Sequence, residues 1–504
     1  MGIGQVIGST TLRSFRFVIK EGEEGKVKRD EFVTVRESVT GNRILGVVKD
    51  IVTSNELLPD EFGRDLRLAD IILKEGEYPV PIVKVLGIQG RDGLELPRHG
   101  IKPGAVVELA EDEMLKEILH QEGGRSALIG TLSTRETVPV EVNINELVSR
   151  HCAVLAMTGA GKSYTVGVLI EEIMKKKGSV LVFDLHGEFI NVRMKDSGVK
   201  VYDVEGKDMI KVNVDSLSSG DYVNLMPDLT NTQRDLLDEV LNLADKFYEK
   251  YDLNTILEVL SIIYDTKKGE EPGEMIFNNR EITTITKKVT LPTIGALMRR
   301  IRRLDRIGVF SVKGTPLNEI VRENQLTVFN LSEADEKVSE IIVAAMLRNI
   351  FDARKKFMRG GGGEGLPTPT FIVIEEAHNF APRVVEADYI PSRGIIRKIA
   401  REGRKFGVGL CVVSQRPNKL DSDVLSQCNT QFIMKMVNPV DQEYIRQSVE
   451  SVTEDIVRDL PSLSRGEAII SGSAINLSVP ARIRERETAV GGQDIDIVGV
   501  WNGN

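Results

Sequence analysis

Residues 156–163 read AMTGAGKS, and these residue types at this spacing can hold a polyphosphate. An apolar stretch, Cys152 to Met157, runs ahead of them, and behind them Val166, Leu169, Ile170 and Ile173 fall on one side of a helical pattern. Strand, glycine turn, Gly-Lys-Ser and helix is the context in which a phosphate-binding loop works. Gly159 and Gly161 remove side-chain obstruction, so backbone N–H groups can wrap the anion. The helix that starts near Lys162 points its positive dipole end at the same place. Lys162 is expected to reach the β- and γ-phosphates of ATP, and the Ser163 hydroxyl to ligate Mg²⁺. The nucleotide-contacting set read from the loop is Gly159, Ala160, Gly161, Lys162, Ser163 and Tyr164. Ala156 stands where the usual pattern has its first glycine, at a strand end where alanine fits.

Three further strand ends carry groups that suit hydrolysis. In FIVIEEAHNF (371–380) an apolar run ends in two adjacent carboxylates. Strand ends of a parallel sheet face the ligand crevice. There Glu375 is expected to hold Mg²⁺ through water, and Glu376 to orient or deprotonate the attacking water. The plainer reading is a pair of acids that end a buried strand and cap the next helix. LVFDLHGEF (181–189) brings Asp184 and Glu188, either of which can support the Mg²⁺ shell or the water. CVVSQRP (411–417) places Gln415 to sense the γ-phosphate, against a simple turn before Pro417. Over 383–405 seven basic residues (Arg383, Arg393, Arg397, Lys398, Arg401, Arg404, Lys405) face three acids, a local excess of positive charge on a chain of net charge −9. Three roles compete for it: contact with DNA phosphates, an arginine finger reaching a neighbour's ATP, and a solvated basic helix.

The elements that must position these residues change character along the chain. Residues 1–148 read as all-β, with short alternating runs Phe15–Ile19, Phe32–Val35, Val80–Val85 and Val106–Leu109 between glycine, proline and acidic turns. That pattern predicts a small barrel or sandwich, and 138–148 reads as its last strand. From 149 to 486 the pattern is α/β, with parallel strands predicted at 152–157, 179–184, 199–203, 326–331, 370–375, 408–413, 431–435 and 467–471. A leucine-rich helical insertion interrupts it over 217–320, with helices at Thr232–Lys250, Leu253–Tyr264 and Thr293–Ile307. In the last of these, Arg299, Arg302, Arg303 and Arg306 share one face and Leu297, Ile301 and Leu304 the other. A solvated face over a buried apolar side is the plainer reading, with a nucleic-acid or subunit contact as the functional one. RGGGGEG (359–365) reads as a flexible connector. Residues 487–504 read as a tail whose Ile495, Ile497, Val498, Val500 and Trp501 can dock on a neighbour.

Bulk properties narrow the class. The 504 residues suffice for two to four domains, and 41% hydrophobic with 28% charged residues is an ordinary globular balance. No run approaches the ~20 apolar residues that cross a bilayer, and MGIGQVIGSTTLRSF lacks the apolar core of a signal peptide. Cys152, Cys411 and Cys428 form neither a disulfide framework nor a zinc pattern, so a reducing cytoplasm is expected. The acidic balance excludes a surface coated in positive charge but leaves room for a local basic channel.

AMTGAGKS, FDLHGEF, IVIEEAHNF, REGRKFGVGL and VVSQRPNKLDSDVLSQCNT, in this order, resemble the HerA branch of the HerA/FtsK superfamily of hexameric P-loop DNA translocases. The resemblance spans the chain. It implies a RecA-like P-loop ATPase core, an N-terminal HAS-type β-barrel and a helical-bundle insertion. Residue by residue, it implies that Lys162 and Ser163 bind nucleotide, Glu376 is the catalytic base and Gln415 the sensor. Arg401 becomes the candidate finger acting in trans, with Arg404 its neighbour in sequence, and Arg150 a candidate phosphate contact. Glu375 departs from the Asp-Glu pair more general in the superfamily. The family further implies a homo-hexamer around double-stranded DNA and a NurA-type nuclease partner in end resection at double-strand breaks. Arg383 and Arg393, or else Arg193 and Lys195 after Glu188, are the expected DNA contacts.

Two rivals remain at this level. One is a secretion or conjugation ATPase of the same superfamily; such proteins commonly work at a membrane, and no membrane span is read here. The other is a ring clamp that binds ATP only to assemble, which Glu376 argues against.

Overall fold

The computed structural model describes residues 2–55, 77–90, 93–270, 279–360, 365–383, 389–489 and 501. The chain divides into two compact units: Met1–Asn143 with Thr453–Asp459 and Glu467–Arg484, and Ile144–Val452 with Leu460–Gly466 and the chain from Glu485 onward.

In the first unit six antiparallel strands close into a barrel. Their order is Ser14–Ile19, Gly2–Ile7, Val106–Leu109, Phe32–Arg36, Arg43–Asn55 and Glu77–Gly90, and the last pairs back to the first. Alternation drives it: Phe15, Phe17 and Ile19 point inward while Ser14 and Arg16 face out. Phe15, Phe17, Val33, Ile44, Val83 and Val107 fill the interior. Register shifts between Leu45 and Gly46, a bulge of the kind that bends a strand around a barrel corner. A Cβ at Gly46 would lie 2.5 Å from Val83 Cγ1, so only glycine fits there.

The segment 1–148 is not purely β. Asp112–Leu119 is a helix that buries Leu115, Ile118 and Leu119. The predicted strand over 138–148 ends at Asn143, and Ile144–Ser149 is helical. Strand Ser126–Leu132 pairs on one side with Arg135–Asn143 and on the other with Val479–Ile483, which also pairs antiparallel with Glu467–Gly472. The strand expected at 467–471 as part of the 149–486 core therefore groups with the first unit, because its hairpin partner docks there.

The second unit holds seven parallel strands in the order Gly198–Tyr202, Gln325–Asn330, Ser179–Asp184, Thr370–Ile374, Val408–Ser414, Cys152–Leu155 and Thr430–Met434. The last five of these are buried at every residue, as strands covered on both faces must be. Cys152, Cys411 and Cys428 are free and buried. Helices Lys162–Lys175, Glu336–Met358 and Pro391–Glu402 belong to the same unit. The insertion comprises Ser219–Leu225, Asn231–Phe247, Leu253–Lys268, Asn279–Lys288 and Leu291–Asp305. Ser218, Thr230, Asp252 and Thr290 cap four of these helices. Helix Leu291–Asp305 buries Ile294, Leu297, Ile301 and Leu304 and exposes Arg299, Arg302 and Arg303, with Arg306 exposed just beyond its end. Residues 361–364 of the predicted connector and 490–500 and 502–504 of the predicted tail lie outside the described residues, while Trp501 is exposed.

Candidate nucleotide site

The chemistry-bearing residues gather at the carboxyl ends of the parallel strands. Cys152–Leu155 lies between Val408–Ser414 and Thr430–Met434, and the loop that follows it hangs from both neighbours. Ala156 N donates to the Ser414 carbonyl (3.2 Å) and Met157 N to the Lys435 carbonyl (3.0 Å). Ala156 is wholly buried at this strand end, which suits its small side chain. Gly159 and Gly161 take φ of +78° and +110°, the region that favours glycine. A Cβ on Gly161 would also crowd Met434 Cε at 3.2 Å. Helix Lys162–Lys175 starts directly at the loop without a side-chain cap, so its first-turn N–H groups remain for an anion.

Glu376 faces this loop. It follows strand Thr370–Ile374 and holds φ 43° and ψ 47°, a left-handed conformation that is strained for glutamate. Its Oε1 lies 3.4 Å from Lys162 Nζ. On the other side, Oε2 lies 3.3 Å from His378 Nδ1 and 3.5 Å from the Gln415 backbone N. Thr158 Oγ1 donates to Gln415 Oε1 at 2.5 Å, which joins the phosphate loop to the end of strand Val408–Ser414. His378 Nδ1 also lies 3.1 Å from Ser414 Oγ. Burial pushes the His378 imidazole below the usual histidine range, opposed by Glu376 and assisted by Arg416, Lys419 and Lys162. Thr158, His378 and Ser414 were not singled out in the sequence; the third position after Glu375 and the residue before Gln415 were the signals that could have found them.

A second acidic group lies behind Glu376. Burial raises the Glu375 carboxyl well above the usual carboxylate range, reinforced by Asp184 and then by Glu188 and Glu376. Glu375 Oε2 and Glu188 Oε2 are buried without a hydrogen-bond partner among the described residues. Orphan carboxylate oxygens of this kind fit a hydrated cation. Among the described residues no group of three or more His, Cys, Asp or Glu side chains is placed to hold a metal ion by itself. Asp184 has its carboxylate engaged by the backbone. Its oxygens accept the backbone N–H groups of His186 (3.2 Å), Glu188 (3.1 Å) and Phe189 (2.8 Å), so it shapes the loop that presents Glu188.

Other expected residues lie elsewhere. Tyr164 turns its hydroxyl to accept the Arg486 backbone N–H at 2.7 Å, so that hydroxyl serves the C-terminal segment rather than the anion cradle. Arg150 precedes strand Cys152–Leu155 and pairs with Glu146 at 2.8 Å, at the opposite end of the strand from the loop. Arg401 sits in the last turn of Pro391–Glu402, at that same end of the strand: Gly403, just past the helix, approaches His151, where an added Cβ would meet Cε1 at 3.2 Å. Neither arginine reaches the nucleotide loop of its own chain. Among the described residues Arg401 and Arg404 are exposed and make no ion pair.

The basic helix is less free than its composition implied. Arg393 pairs with the buried Asp421 at 2.9 Å, and Arg397 joins Asp421 and Asp423. Arg393 is thus a structural cation and not a free phosphate contact. Arg383 remains exposed, its guanidinium 4.7 Å from the Tyr444 ring centre. Arg193 is exposed and donates to the Ile190 and Val192 carbonyls of its own loop, and Lys195 is exposed nearby. Glu386 and Asp388 lie outside the described residues.

A phosphate-loop strand, a neighbouring strand that ends at Gln415, and beyond it a strand that ends in two acids define a P-loop ATPase with a RecA-like core. Residues 127–350 match the family described as the central domain of the helicase HerA, and residues 3–108 match the HAS barrel domain. A probable helicase of Methanocaldococcus jannaschii is 33% identical, over 99% of this chain and 94% of its own. The DNA double-strand break repair helicase HerA of Pyrococcus furiosus is 32% identical, over 99% of this chain and 96% of its own. The chain belongs to the HerA family of helicases. The VirB4 structure of Thermoanaerobacter pseudethanolicus shares the fold, with a TM-score of 0.51 at 15% identity over 73% of this chain and 98% of that one. Among the described residues no helix is long and apolar enough to cross a membrane.

Proposed function

We propose that the chain is an ATP-driven translocase or helicase on double-stranded DNA, assembled as a homo-hexamer and acting with a NurA-type nuclease in end resection. The observation that carries the ATPase part is the Glu376 carboxylate 3.4 Å from Lys162 Nζ at the mouth of the phosphate loop. Lys162 and the loop N–H groups orient the β- and γ-phosphates. Glu376 takes a proton from water as the water oxygen bonds to the γ-phosphorus and the bond to the bridging oxygen breaks, leaving ADP and phosphate. Gln415, held by Thr158, meets the γ-phosphate. Ser163 and, by way of water, Glu375 would hold Mg²⁺, which would supply positive charge to the phosphate oxygens. Arg401 serves a neighbouring subunit's nucleotide; its place near the amino-terminal ends of the central strands, away from its own loop, supports this assignment. The names of the relatives support DNA as the load. Arg383, Arg193 and Lys195 are the assigned phosphate contacts, without base readout.

The test is ATP turnover with and without duplex DNA for the wild type, Lys162→Ala and Glu376→Gln. Turnover that rises with duplex and vanishes in both variants supports the reading. A wild type that never responds to DNA at low salt removes the translocase part. Co-purification tests the nuclease partner.

A further inference from the structure

We propose that His378 is a positioning residue that clamps the carboxylate of Glu376 to Ser414, tying the water-activating group to the strand end that carries Gln415. The inference rests on the proposed hydrolysis and deepens it.

The two oxygens of Glu376 have different partners. Oε1 looks toward Lys162 at 3.4 Å, on the side where phosphate and water would sit. Oε2 looks away from it, toward His378 Nδ1 at 3.3 Å and the Gln415 backbone N–H, whose nitrogen is the more distant at 3.5 Å. The separation from Nδ1 is an ion-pair distance, and a hydrogen on Nδ1 would face this oxygen, which as a carboxylate oxygen can only accept. The same nitrogen lies 3.1 Å from Ser414 Oγ. Ser414 is fully buried, and its Oγ accepts the Arg416 backbone N–H at 3.1 Å. Ser414 also stands in register with Leu155, the last residue of the strand that feeds the phosphate loop. His378 therefore grips a carboxylate whose own backbone is in a strained left-handed turn and anchors it to a fixed point. With Oε2 held, Oε1 is the oxygen left to accept the water proton. The His378 side chain is 9% exposed and the Glu376 side chain 8%, so bulk water does not replace the donor.

The test compares His378→Ala, His378→Asn and Glu376→Gln. Asparagine places an amide N–H close to the Nδ1 position. His378→Ala should lower kcat about 10- to 100-fold, the scale of a misplaced catalytic group, while KM for ATP and affinity for a fluorescent ATP analogue stay within about twofold. His378→Asn should recover most of kcat, and adding His378→Ala to Glu376→Gln should cost nothing further. Three outcomes overturn the inference: kcat of His378→Ala near wild type while Glu376→Gln is dead, a rise in KM without a fall in kcat, or an asparagine variant that folds but stays as slow as alanine. Near-wild-type turnover by Glu376→Gln would instead remove the assignment of the base itself.

Discussion

Lys162 and Glu376 approach each other across the mouth of the loop, but removing either has a different consequence. Lys162→Ala takes away the charge that meets the β- and γ-phosphates, so nucleotide affinity and turnover should fall together. Glu376→Gln keeps shape and hydrogen bonding but loses the base. It should bind the ATP analogue normally and lose roughly 10²- to 10⁴-fold in turnover, the usual worth of positioned acid–base catalysis. Equilibrium binding paired with single-turnover hydrolysis separates the two. A Glu376→Gln chain that binds poorly would place the residue in ground-state recognition.

Helix Pro391–Glu402 is basic because it is tied down as much as because it binds anything. Asp421 is 1% exposed and accepts from Asp423 N and Val424 N as well as from Arg393. Arg393→Ala takes from a buried carboxylate the closer of its two arginine partners, Arg397 remaining, which should cost about 1–3 kcal/mol in stability. Unfolding in urea should show this loss, while duplex affinity should hardly move; a large affinity loss at unchanged stability would return Arg393 to the DNA contacts. The other tether is His151, which accepts the Leu410 N–H at 2.9 Å and bonds the Ala400 backbone. Burial lowers its pKa from 6.5 to about 4. Between those values the unfolded chain binds a proton that the folded chain refuses. His151 thus supports the fold fully above about pH 6.5, and that support drains away as pH falls toward 4. The loss approaches about 3 kcal/mol, at 1.36 kcal/mol per unit. Denaturant midpoints at pH 7 and pH 4.5 should converge in His151→Asn; an unchanged pH slope would assign the acid sensitivity to other groups.

At the scale of the whole molecule, the position of Arg401 near the amino-terminal ends of the central strands matters most to the proposed trans role. A finger that cannot reach its own loop acts only on a neighbour. Arg401→Ala should bind ATP and assemble but hydrolyse poorly, and mixing it with Lys162→Ala should restore part of the activity. Interfaces with an intact loop from one chain and an intact finger from the other then exist. No rescue in verified mixed assemblies would place Arg401 outside the trans role, with Arg404, equally exposed, the next to test.

The phosphate loop was legible because its chemistry is local: glycine conformations, lysine and serine must follow one another along a few residues. The parallel strands were legible because burial on both faces writes continuous apolar runs. Helix Glu336–Met358 escaped for a related reason. It is buried without a break from Val338 to Leu347, so it carries no amphipathic stripe to read. Helix Asp112–Leu119 was lost in a β-rich context, and the place of Glu467–Gly472 depends on a partner far away in the chain. Ionic commitments are also tertiary facts. Arg393 and Arg383 read alike as basic residues, yet only one meets the buried Asp421. Asp184 reads as a strand-end acid beside Glu375, yet backbone N–H groups that only a folded loop brings together claim its oxygens. Residue types and local spacing determined which chemistry this chain can perform. Packing between distant segments decided which side chains are left free to perform it, because a charge already paired in a buried setting is no longer available to a ligand.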